Sequence, residues 1–86
     1  MISRTLVEEK LAACANILQV KSVYRWHGKV EETGEAAMFL KTRSELVDRL
    51  IERVKQLHSY EIPCILSFPI EKGNPDYLQW IEESTK

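Results

Sequence analysis

Ile17-Leu18-Gln19-Val20-Lys21-Ser22-Val23-Tyr24-Arg25-Trp26, answered after a polar stretch by Ala36-Ala37-Met38-Phe39-Leu40-Lys41, decides the fold. Both runs have the period of a strand. Val20, Tyr24 and Trp26 share one face of the first, and Ala36, Met38 and Leu40 share one face of the second. Together they predict a long antiparallel hairpin over 17–42. The polar residues 29–35 are expected to contain the reversal, with Gly34 supplying the permissive backbone, and His27-Gly28-Lys29 is expected to form a bulge in the first arm. Such an arm projects beyond the core of a small domain, so Tyr24 and Trp26 need a cover that another subunit could supply.

Working outward, the residues before the hairpin read as a helix from about Ser3 to Asn16. Val7, Leu11 and Cys14 form its apolar face, widened by Leu6 and Ala13, while Glu8, Glu9 and Lys10 face water. Thr5 and Glu8 have the spacing of a capping box, and Ala12, Ala13 and Ala15 would allow close approach to a sheet. After the hairpin, 43–57 is a second amphipathic helix. Its apolar face is Leu46, Val47, Leu50, Ile51, Val54 and Leu57, and Thr42 with Glu45 is spaced for its cap. Cys64-Ile65-Leu66-Ser67-Phe68 reads as a short, largely buried strand. Asn74 and Pro75 then open a last helix whose apolar side is Tyr77, Trp80 and Ile81, with Leu78 beside them. This order predicts a single α+β domain over 1–86, with helices on one face of an antiparallel sheet. One further strand before the first helix would complete the ferredoxin-like order β-α-β-β-α-β.

Composition narrows the function. An 86-residue chain buries only about 60 to 65% of its unfolded surface, so apolar surface is available for subunit contacts. Twelve basic residues against 13 acidic ones, without basic runs, argue against nucleic acid as a partner. No apolar stretch is long enough for a membrane span, and the opening residues lack a signal-peptide apolar region. Cys14 and Cys64 stand fifty positions apart in apolar surroundings and are expected to be buried free thiols, as in a reducing compartment. A cytoplasmic protein is the resulting expectation.

Chemistry concentrates in Leu57-His58-Ser59-Tyr60-Glu61-Ile62-Pro63, at the junction of helix and strand. Pro63 forces Ile62 out of the helical region, so the segment must also turn the chain. His58 is open to two readings, a metal ligand or a helix-terminal imidazole meeting the last carbonyls. Tyr60 and Glu61 can hold the chain reversal through hydrogen bonds. They can equally bind a small polar or anionic ligand in a cleft between subunits, with Lys41 as countercharge and Trp26 as an apolar wall. Catalysis is not expected. There is no Ser/Cys-His-Asp series with assignable roles, no glycine-rich phosphate loop and no carboxylate pair of inferable separation.

The stretches 11–17, 22–32, 40–42, 57–63 and 73–81 together resemble the CutA1 family of divalent-cation tolerance proteins, in order and spacing and over almost the whole chain. That resemblance implies a ferredoxin-like core, a non-catalytic role and a homotrimer in which hairpin arms pair between subunits. It also implies a strand preceding the first helix, and here Met1 already falls in the helix region, so that strand is expected to be absent. The family's proposed copper site uses a cysteine of that strand and adjacent histidines. Only His58 matches, with Leu57 before it and Ser59 after it in place of the usual proline. Weak binding of copper or another divalent metal at His58 is the expectation that carries over.

Overall fold

The first helix stops earlier than its composition suggests. In the computed structural model, which describes residues 2–59 and 62–86, α1 covers only Ile2–Glu8. Lys10 takes a left-handed backbone, φ 63°. The Leu11 N–H reaches back to the Leu6 carbonyl at 3.0 Å and the Lys10 N–H to the Val7 carbonyl at 3.0 Å. These are the two bonds of a Schellman stop, accompanied by the apolar contact between Leu6 and Leu11 that such a stop favours. Thr5 therefore lies inside the helix and does not cap it. Cys14 belongs to the following strand; of the expected apolar face Leu6, Leu11 and Ala13 are buried, joined by Ala12, whereas Val7 is exposed and Cys14 half-buried. The alanines do permit close approach, the Ala13 N–H meeting the Lys41 carbonyl at 2.7 Å.

Strand β1 (Cys14–Trp26) pairs antiparallel with β2 (Lys29–Lys41) over the full length of both, from Cys14 opposite Lys41 to Trp26 opposite Lys29. The reversal lies at His27-Gly28, not in 29–35, and there is no bulge. His27 has φ 49° and Gly28 φ 77°, the two positive values that a two-residue type I′ turn requires. Histidine is among the non-glycine residues that tolerate this region. Gly34 is an ordinary ladder residue opposite Lys21. Thirteen residues per strand give an arm of roughly 40 Å. That arm sets the 45 Å long axis and raises the radius of gyration to 14.6 Å, where a compact chain of this length has about 12 Å.

The register assigns the faces. Leu40, Met38 and Ala36 sit opposite Ala15, Ile17 and Gln19, whereas Leu18, Val20, Tyr24 and Trp26 lie on the other face with Phe39 and Ala37. The two apolar sets read from the sequence thus lie on opposite sides of one ribbon. Leu40 packs into a core of Leu6, Leu11, Ala12, Leu50 and Val54, with Ile2, Leu57 and Ile65 at its margin. The core sits at the arm's base, between α1 and α2 (Val47–Leu57).

Helix α2 forms where its periodicity puts it, burying Leu50 and Val54, and is entered through a 3-10 turn at Ser44–Leu46 that buries Leu46. Thr42 does not cap it. Its hydroxyl donates instead to the Leu11 carbonyl at 2.7 Å, tying the end of β2 to the residues after α1. Helix α3 (Pro75–Ser84) begins as expected, the Asn74 side chain accepting the Asp76 N–H at 3.0 Å. Of its apolar side only Ile81 is buried, and Tyr77, Leu78 and Trp80 remain substantially exposed. Its end is clamped by Arg43, whose Nε donates to Thr85 Oγ1 and whose Nη2 donates to the Thr85 carbonyl, both at 2.9 Å.

The expected strand over 64–68 is not a ladder strand. Both strands of the sheet belong to the hairpin, and 64–73 carries no regular secondary structure. Ile65 turns toward the core, while Leu66 and Phe68 are 74% and 77% exposed. The composition of a buried strand is present there. A ladder, however, needs a hydrogen-bonding partner, and among the described residues none lies alongside.

Candidate functional site

The sequence-predicted site residues divide among three places. Trp26 is at the arm's tip, stacked edge-on against His27 with ring centroids 4.8 Å apart, and Lys41 is at its base. The ladder separates them by roughly 40 Å. One chain therefore does not bring Trp26 and Lys41 together, and a cleft that uses both takes them from two subunits. Tyr60 and Glu61 lie outside the described residues. His58 stands at the C-terminal cap of α2, half-buried, with its backbone N–H bonded to the Val54 carbonyl at 2.8 Å. Among the described residues, no three His, Cys, Asp or Glu side chains are grouped to hold a metal ion.

Lys41 does have polar company. It faces Cys14 across the ladder, and its Nζ donates to Asn16 Oδ1 two residues along the same face. Helix α3 brings Tyr77 onto this face, the phenol oxygen 3.5 Å from Cys14 Sγ. That hydrogen bond, then partial desolvation and electrostatic repulsion from the Cys14 sulfur, hold the Tyr77 hydroxyl above the ordinary phenol range. Tyr77 also tilts against Trp80, with centroids 5.5 Å apart. Cys14, Asn16, Lys41 and Tyr77 form a polar corner at the arm's base, with donors suited to an anionic or polar ligand. Neither thiol fits the expectation of a buried one: both cysteines are free, Cys14 half-buried and Cys64 exposed. Sequence reasoning missed Tyr77 as Cys14's partner, because the two are 63 residues apart and meet only through the placement of α3.

A second cluster was also missed. Arg53 of α2 grips Glu9, Nε to Oε1 at 2.9 Å and Nη2 to Oε2 at 2.8 Å, and its Nη1 donates to Gln56 at 3.0 Å. The guanidinium holds the Glu9 carboxyl below its usual range, chiefly through the hydrogen bonds, which outweigh an opposing desolvation, with charge adding a smaller lowering. The pair borders a shallow depression of about 320 Å³ that also touches Leu11, Arg49 and Glu52. With its charges already paired, it fastens α1 to α2.

The helix-backed antiparallel ribbon is a ferredoxin-like fold. It superposes with a TM-score of 0.96 on the periplasmic divalent cation tolerance protein CutA of Archaeoglobus fulgidus, at 47% identity, covering 99% of this chain and 83% of that one. Residues 1–84 match the CutA1 divalent ion tolerance protein family, and the chain belongs to that family. Protein CutA of Mus musculus is 45% identical over 86 residues, 99% of this chain, and the chain spans about half (49%) of that protein's length. A Nostoc structure described as a PII-like protein CutA in apo form is 31% identical with a TM-score of 0.94, over 99% of this chain and 84% of that one. The function the family's name carries is tolerance of divalent ions. No helix among the described residues is long and apolar enough to cross a membrane.

Proposed function

We propose that the protein acts in divalent-cation tolerance as a homotrimer whose hairpin arms pack between subunits, binding copper or a similar divalent ion weakly through His58. The observation that carries the trimer is the open arm face. Leu18 is 48% and Phe39 57% exposed on a ribbon whose two strands pair only with each other, and a row of apolar side chains in water is stabilised by a matching surface. For the metal, support comes from family membership and the imidazole at the end of α2. One imidazole provides one ligand, so the affinity expected is low. Two unpaired cysteines favour a reducing compartment, and we place the protein in the cytoplasm.

Native mass spectrometry with and without a stoichiometric dose of Cu(II) tests both parts. A trimer that retains copper, and releases it in His58→Ala without losing its assembly, supports the reading. A monomer sinks the trimer, and undiminished copper in His58→Ala sinks the site.

A second reading is favoured by the polar corner at Lys41 and by the likeness to the PII-like Nostoc protein. Here the trimer is a structural or signalling scaffold. A small anion or metabolite binds in the inter-subunit cleft between Lys41, Tyr60 and Glu61 of one subunit and Trp26 of its neighbour. Glu61→Gln should change the affinity for a charged ligand found by screening while leaving the oligomer intact. Unaltered affinity counts against this role.

A further inference from the structure

We draw no further inference here: the strongest candidate, the apolar extended segment 62–70 beside the helix core, carries nothing because nothing in the structure shows what covers it.

Discussion

The base of the molecule and its arm are built from similar residues and reach opposite states. At the base, Leu6 and Ala12 are fully buried, and α1, α2 and the near end of the ribbon close on one another. Along the arm every residue from Cys14 to Trp26 has its partner in β2, yet valines, leucine and phenylalanine stay in water. Backbone pairing and side-chain burial are thus separable. A two-stranded ribbon pairs only the facing edges of its strands, leaving the outward N–H and C=O groups of both to solvent or a neighbour, and an isolated hairpin is marginal without a third layer. The base owes its order to packing within the chain, and the arm's apolar face calls for packing from outside.

Four substitutions sharpen or break that contrast. Leu6→Ala, at the most deeply buried large side chain, should cost about 2–5 kcal/mol by cavity formation. Urea denaturation followed by circular dichroism measures it, and a loss under 1 kcal/mol would mean that the base is not the cooperative core. Phe39→Glu on the open arm face should leave the helical signal intact while lowering self-association at least tenfold, since burial of one such side chain is worth about 1.5–3 kcal/mol. Sedimentation equilibrium reads this, and unchanged association would remove the arm from the interface.

Gly28→Val places a β-branched residue at φ 77° with no steric obstacle nearby, so its cost is conformational. About 1–2 kcal/mol is expected, seen as a lowered Tm. The smallest effect is at the base. Glu9 has a depressed carboxyl, so its pairing with Arg53 adds stability above the unfolded glutamate value of about 4.3 and loses it as pH falls through the lower folded value. Glu9→Gln should flatten the acid limb of a Tm-against-pH curve and leave α1 in place. An unchanged acid limb would show that the pair is mere surface decoration.

How much of this was legible depends on whether the cause was local. Alternation announced the hairpin, 3.6-residue periodicity announced α2, and Asn74-Pro75 announced α3, because each is a property of neighbouring residues. The end of α1 was hidden. Glu9, Lys10 and Ala12 are good helix formers, and no glycine or asparagine marks Lys10 as the left-handed stop. The reversal was misplaced because Gly34 in a polar run is the more obvious turn, although histidine followed by glycine supplies both positive φ values in two residues. For the candidate site, His58 was found where a helix ends, and Lys41 at the arm's base. The partnerships of Cys14 with Tyr77 and Glu9 with Arg53 join residues 63 and 44 positions apart and leave no mark in the linear chain.

The Arg43 clamp on Thr85 has a topological meaning. It joins positions 43 and 85, 42 apart, and so turns α2, the extended segment and α3 into one closed circuit, fastened by hydrogen bonds where other small domains use a covalent link. The extended segment is therefore the span of a bridge with both abutments fixed: one is α2 in the core, the other α3 at the clamp. Closing that circuit shortens the list of conformations open to the span before anything docks against it.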